Sequence, residues 1–492
     1  MKKQAFNPFL PADVYIPDGE PHIFGDRVYL YGSHDFEGGW TFCMGDYTVY
    51  SAPVDDLSDW RCEGVIYRAE QDPDYQNRKY MYAPDAVQGN DGRYYLYYCM
   101  SGEFGYGGYY GPICVAVCDE PAGKYEYLGY VRYPDGTPMK KYACFDPCAF
   151  NDDGRIFIYY GTQYQGEEND VLAADDAKMA DVMKRYDKSR DEILATADNV
   201  NGPAVVELED DMLTVKGEPR HIIPYGVDFG GHEFFEASSM RRVNEKYYFV
   251  YSSQKNHELC YAVSDYPDRD FEFRGTIVSN GDVGINGITD ENRMNMTGTT
   301  HGSIIEINGQ WYVFYHRLTH KSDYSRQACA ERITIAPDGT IKQVEMTSCG
   351  LNGGALIGRG AYPAIIASSI TNGNMPHGSN KIFEDSFPNV THRNTENGTE
   401  RFIGEIGDGT LIAYKYFSFS GLSRITLTVK GGAGSFVVST SLDGEPVCTI
   451  EVPACDEWNG LSAEVRIRDG IYPVYLRYTG SGQAELKEIA FD

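Results

Sequence analysis

The chain has 492 residues, 42% apolar and 23% charged, which describes a folded globule too long for one core of about 250–300 residues, so two domains are expected. Lys and Arg number 43 against 72 Asp and Glu, a formal net charge of −29. So acidic a surface repels phosphate backbones and anionic lipid, which excludes nucleic acid and membrane surfaces as partners.

The 40 Tyr and 53 Gly predict many short, half-buried strands joined by tight turns. The run from Met1 to Pro8 starts basic but lacks the apolar core of about 7–15 residues that a signal peptide needs. No stretch approaches the ~18 apolar residues of a membrane helix. The twelve Cys are scattered and contain no CxxC pair. Cys114/Cys118 and Cys144/Cys148 lack the clustered histidines of a zinc site. Free, buried thiols in a cytoplasmic protein are the expectation.

A repeat organises the first 350 residues, with five segments that join a polar turn to a short aromatic-aliphatic strand. They begin at Gly25 (GDRVYLYG), Asp91 (DGRYYLYY), Asp153 (DGRIFIYY), Asn244 (NEKYYFVY) and Asn308 (NGQWYVFY). The same place in each holds an aromatic: Tyr29, Tyr95, Phe157, Tyr248 and Tyr312. The turns are of the hairpin type, so each copy is read as the second strand of a hairpin. Successive starts lie 66, 62, 91 and 64 residues apart, which suits a blade of about 60 residues. The long interval contains a stretch between Gln165 and Asn199 whose apolar residues recur at helical spacing, read as a helical insertion. The fold class expected is all-β, a five-bladed β-propeller over residues 1–350.

Stepping back 7, 6, 7, 8 and 7 residues from the five turns reaches Asp18, Asp85, Asp146, Glu236 and His301. Each opens the preceding strand, the innermost of a blade, so four carboxylates and an imidazole are expected to converge at one channel mouth. Crowded carboxylates cannot all ionise near pH 4, so one is pushed up into the range of a general acid while another stays a base. That pair is what hydrolysis of a glycosidic bond requires. Calcium binding is the competing use of clustered acids, but no DxDxDG loop is present.

Five motifs at these positions resemble those of glycoside hydrolase family 43, the five-bladed arabinofuranosidases and xylosidases. They are Asn7-Pro8 leading to Tyr15-Ile16-Pro17-Asp18-Gly19-Glu20-Pro21, Ala83-Pro84-Asp85-Ala86, Phe145-Asp146-Pro147, Phe234-Phe235-Glu236-Ala237-Ser238-Ser239 and His301-Gly302-Ser303. The resemblance implies that Asp18 is the general base, Glu236 the general acid, and Asp146 the residue that tunes and orients that acid. It further implies that Arg326 contacts the sugar and that His301 is a channel histidine that holds Ca²⁺ through water. Asp85 matches no essential acid and is given a substrate-hydroxyl or hydrogen-bonding role. Pro-Asp-Gly-Glu stands where many relatives have Asp-Pro-Ser, which leaves Glu20 and Asp13 as lesser candidates for the base, and Glu233 is a rival acid. His22, His34 and His316 are read as structural or subsite histidines.

Residues 351–380, rich in Gly, Ala, Ser, Asn and Pro, are read as a linker. Residues 381–492 show short period-two strands and Gly-rich turns, the pattern of a β-sandwich of jelly-roll type. This part resembles a family 6 carbohydrate-binding module through Ser441-Leu442-Asp443-Gly444, Trp458 and Glu488-Ile489-Ala490-Phe491. The activity expected is the inverting release of terminal α-L-arabinofuranose from plant oligosaccharides. The alternatives are a β-xylosidase, a galactofuranosidase, or a propeller that binds sugar without cutting it. Inversion follows from placing Asp18 and Glu236 on the non-adjacent first and fourth blades, which leaves room for a water between carboxyls about 6.5–9.5 Å apart.

Overall fold

The computed structural model describes residues 3–102, 111–164, 169–186, 188–195, 200–378 and 386–492. All five repeats are the second strand of an antiparallel hairpin: Arg27–Tyr31 on Glu20–Phe24, Tyr94–Ser101 on Tyr80–Gln88, Arg155–Tyr160 on Cys148–Asp152, Lys246–Ser253 on Phe234–Val243, and Gln310–Leu318 on Ser303–Ile307. The turns need left-handed backbone, and Asp153, Asn244 and Asn308 supply it at φ of 52°, 54° and 51°. Further antiparallel strands complete four sheets of four strands and a fifth of three.

The repeat strands are apolar on both faces because each sheet lies between two others. In Arg155–Tyr160, Ile156, Ile158 and Tyr160 pack with Val87, Tyr97 and Val115 of the second sheet. The alternate residues Phe157 and Tyr159 pack with Phe234, Phe249 and Tyr251 of the fourth. The same sharing joins the first sheet to the second and the fourth to the fifth. It also brings Tyr312 and Phe314 of the fifth sheet against Val28 and Leu30 of the first. The start of the chain is stitched to this closing contact: the Phe9 N–H donates to Ala328 O at 3.2 Å, and the Asn7 amide to Ala330 O at 2.9 Å.

Between the second and third strands of the third sheet lie helices Asn169–Ala173, Asp176–Tyr186 and Arg190–Leu194. Leu172, Met179, Val182, Tyr186 and Ile193 form their buried stripe. The ends of the expected insertion, 165–168 and 196–199, lie outside the described residues. Among the described residues no helix is long and apolar enough to cross a membrane.

The remaining strands form two six-stranded sheets that bury one apolar core between them, Ile403, Leu427 and Leu486 from one and Phe417, Phe436 and Leu476 from the other. The stretch 351–380 does more than connect. Leu356–Ile357 pairs with Phe417 and Ser418, Gly360–Pro363 with Phe491 to Glu488, and Ser369–Thr371 with Ala413 to Leu411. These strands are two to four residues long, too short to carry a readable alternation, and so the sequence showed only their turn residues.

Lys415, 3% exposed, joins the two parts of the chain: its Nζ lies 2.9 Å from Asp282 Oδ2 and 3.0 Å from Glu345 Oε2. Removing one member of a buried ion pair leaves the other uncompensated, at a cost of about 3–5 kcal/mol. Lys415→Met should therefore lower the urea midpoint strongly, and adding Asp282→Asn should recover part of the loss.

Candidate active site

The three expected acids sit where the backbone is forced. Asp18 and Asp146 each stand two residues before an inner strand, at φ of 57° and 46°. Glu236 lies in Phe234–Val243 between two register shifts, and the next residue, Ala237, is held at φ 68°. A bulge of this kind re-aims a side chain, and left-handed alanine is strained backbone of the sort that gathers at functional sites.

Asp18 is the best-anchored of the three. Its Oδ1 accepts Arg326 Nη1 at 2.8 Å, and its N–H donates to His316 Nδ1 at 3.1 Å. Because that nitrogen accepts, the His316 proton is on Nε2, 3.1 Å from Thr299 Oγ1. Arg326 is itself held by Asp35, which accepts Nε at 2.8 Å and Nη2 at 3.1 Å and also takes the Cys43 N–H at 2.9 Å. Asp146 Oδ2 accepts the Ala237 N–H at 3.2 Å, so it is bonded to the residue beside Glu236. His301 stands between the acids, its Nδ1 3.8 Å from Asp146 Oδ2 and 3.9 Å from Asp18 Oδ1.

These surroundings separate the titrations. Burial opposes ionisation of Asp18, but the Arg326 guanidinium, together with His316, His301 and Ser33, holds this carboxyl below the usual carboxylate range. Burial and the Asp18 charge push Glu236 up to about 8, offset only in part by Arg326. Burial, Glu236 and Asp18 together raise Asp146 well above its ordinary value. Burial drives His301 down to about 4 and His316 to about 3, so both rings are neutral at physiological pH. One carboxylate stays charged beside a pair that retains protons, which is the division of labour acid–base catalysis needs.

A second group lies on the other side of the His301 ring. Glu20 Oε2 accepts Arg241 Nη2 at 2.7 Å and Ser239 Oγ at 3.2 Å. Its Oε1 is buried without a hydrogen-bond partner, 3.8 Å from His301 Nε2. That separation lets both atoms reach one hard cation at about 2.3–2.6 Å, so the donor set fits Ca²⁺ with water completing its shell.

Asp85 belongs to this deeper group, which corrects its assignment to substrate. It is fully buried, and its oxygens are taken by His22 Nε2 at 2.6 Å, the Ala86 N–H at 2.7 Å and the Ala149 N–H at 2.8 Å. It ties three sheets together and has the hydrogen-bonding role instead. Arg326, expected on the sugar, lies 5% exposed with its guanidinium on Asp18 and Asp35. Glu233 accepts the Phe229 and Gly231 N–H groups of a turn, and Asp13 is exposed, so neither joins the site. His34 binds Asp46 O at 3.0 Å. Sequence reasoning missed Asp35, Arg241 and the contact of His316 with Asp18. Asp35 lies 291 positions from Arg326 and 17 from Asp18, and no spacing rule connects the three.

Comparison with known proteins shows the family. The family model of the glycosyl hydrolases family 43 matches residues 7–341. A xylosidase/arabinosidase of Thermoclostridium stercorarium is 44% identical over 99% of this chain and 98% of its own. CoXyl43, a β-xylosidase/α-arabinofuranosidase from a compost metagenome solved with xylotriose in a calcium-free form, is 27% identical, with a TM-score of 0.51 over 70% of this chain and 98% of its own. The GH43_1 enzyme of Xanthomonas citri, solved with xylose, is 25% identical, with a TM-score of 0.52 over 70% of this chain and 93% of its own. The chain belongs to glycosyl hydrolase family 43 and is a glycosidase.

Loss of the Glu236 proton should set the alkaline limb of the pH–rate profile, near pH 8. Asp146→Asn should shift that limb and lower the maximal rate, as initial rates across about pH 5–10 would record.

Proposed function

We propose that this family 43 glycosidase releases terminal α-L-arabinofuranosyl residues from plant-derived oligosaccharides with inversion. The observation that carries the reading is the buried group in which Asp18 stays ionised on Arg326 while Glu236 holds its proton to about pH 8. In the reaction Asp18 takes a proton from water as the water oxygen bonds to the anomeric carbon. The glycosidic bond breaks on the other side, and Glu236 gives its proton to the departing oxygen. Asp146, bonded to the Ala237 N–H beside Glu236, orients it. This balance needs no other reactant.

Ca²⁺, held by Glu20 and His301 with water, would supply a fixed positive charge beneath the sugar. We read the five sheets as the blades of a five-bladed β-propeller and the two six-stranded sheets as a β-sandwich of carbohydrate-binding-module type. Trp458 is bonded to Glu400 at 3.1 Å and flanked by Lys430 and Lys487 at 5.5 and 5.4 Å from its ring. These contacts favour a packing role for the unit over sugar binding. Twelve unpaired thiols support a cytoplasmic location.

A β-xylosidase is the second reading, favoured by the xylose and xylotriose bound in the solved relatives. p-Nitrophenyl α-L-arabinofuranoside, β-D-xyloside and β-D-galactofuranoside separate the candidates. The arabinofuranoside should be turned over fastest; faster turnover of the β-D-xyloside would favour the second reading instead. Asp18→Asn and Glu236→Gln should each cut kcat by about 10²–10⁴-fold. NMR of the first-formed sugar should show the anomer opposite to the substrate's; retained configuration would instead make Asp18 a nucleophile.

A further inference from the structure

Three segments bring groups to the proposed base, and all three are fastened at one place outside the site. Residues 15–18 end on Asp18 itself. Residues 35–37 begin at Asp35, the anchor of Arg326. Residues 316–320 begin at His316, which accepts the Asp18 N–H. Their far ends meet: Tyr15 Oη lies 3.2 Å from His320 Nε2, and His320 Nε2 lies 3.1 Å from Glu37 Oε1. The Asp35 N–H donates to Tyr15 O at 3.0 Å, so the first two segments are also joined through their backbones.

The cluster is completed by the C-terminal sheets. His392 and Arg401 are a directly opposed pair on strands Asn389–Thr395 and Gly398–Ile406 and therefore point from the same face. His392 Nδ1 lies 3.0 Å from Glu37 Oε1, and Arg401 Nη2 donates to Glu37 Oε2 at 2.7 Å. Glu37, 15% exposed in its side chain, thus has both oxygens engaged, and its pKa is pulled down to about 2 despite its burial. A charge-assisted contact of this kind is shielded from solvent and worth more than a surface pair.

We propose that the C-terminal unit is a positioning element of the active site, with Arg401 and His392 acting through Glu37 to hold the segments that place Arg326 and His316 on Asp18. Arg401 and His392 touch no reacting atom; they are positioning residues. The loop cannot shift at Glu37 without drawing on Asp35, two residues away. Asp35 receives the Arg326 N–H as well as its guanidinium, so the base would lose its counter-charge and its aim together. Misplacement by about 1 Å at a reacting centre costs up to 10²-fold in rate.

The inference rests on Asp18 as the base, and the test keeps the two apart. Arg401→Ala and Glu37→Gln in the full chain are compared with Glu405→Gln, which removes the Lys321–Glu405 contact between the same two parts but leaves Glu37 untouched. The first two should lower kcat by about 10–100-fold with KM nearly unchanged, and Arg401→Lys should restore part of the loss. Glu405→Gln should stay within about twofold of the parent. The loss should persist undiminished on a dinitrophenyl glycoside, whose departure needs no proton from Glu236 but whose replacement by water still needs Asp18. Arg401→Ala and Glu37→Gln at parental kcat, a loss shared by Glu405→Gln, or one that vanishes with the activated leaving group overturns the inference. The isosteric Glu37→Gln decides if Arg401→Ala fails to fold. If Asp18→Asn also turns over normally both readings fall; if Asp18→Asn is inactive and the positioning variants are not, only this one does.

Discussion

The Arg326–Asp18 ion pair is the interaction on which the site depends. Two buried carboxyls and a half-buried third share one small volume, and desolvation alone would drive all of them to the neutral form. The buried, charged Arg326 guanidinium is the largest of the influences that keep Asp18 ionised. Burying that cation is costly in turn, and Asp35 offsets the cost with a bidentate pair on the other edge of the fork. Lysine would supply the charge but not the two-sided planar geometry. Asp35 and Asp18 are therefore one design: the first keeps the arginine in place so that the arginine can keep the second charged.

A second set of charges, with a different purpose, lies on the far side of His301. Arg241 pairs with Glu20, and His22 pairs with Asp85, whose other oxygen receives a backbone N–H from the third sheet. These contacts cross from sheet to sheet where the inner strands run close together, and they leave only Glu20 Oε1 open. His301 lies between the two sets with its nitrogens directed to different neighbours, Nδ1 to the acids and Nε2 to Glu20. A neutral ring there separates like charges without adding one of its own.

The scaffold explains why such a concentration of charge is tolerated. Each sheet packs on two others through alternate residues of the same strand, so the apolar area is spent between sheets and the channel is left to polar groups. The closing contact of the fifth sheet on the first completes the enclosure, and the chain start bonded along the last strand reinforces it. The strained backbone at Asp18, Asp146 and Ala237 is held by these surroundings.

Local patterning alone carried much of this. The hairpins were legible because turn chemistry and a period-two strand are written within about eight residues, and five copies multiplied the signal. Asp18, Asp146, Glu236 and His301 were legible by repeat position, since equivalent strands in equivalent sheets point the same way. Asp85 shows where that reasoning stops. Its oxygens are taken by His22 and by the Ala86 and Ala149 N–H groups, partners that a pattern of residue types does not show. Tertiary structure decided the rest: which acid keeps its charge, which arginine face it meets, and how residues 35–37 meet Arg401 across 364 positions. Those outcomes depend on burial and on distances of a few ångströms between segments far apart in the chain, and such distances exist only once the chain has folded.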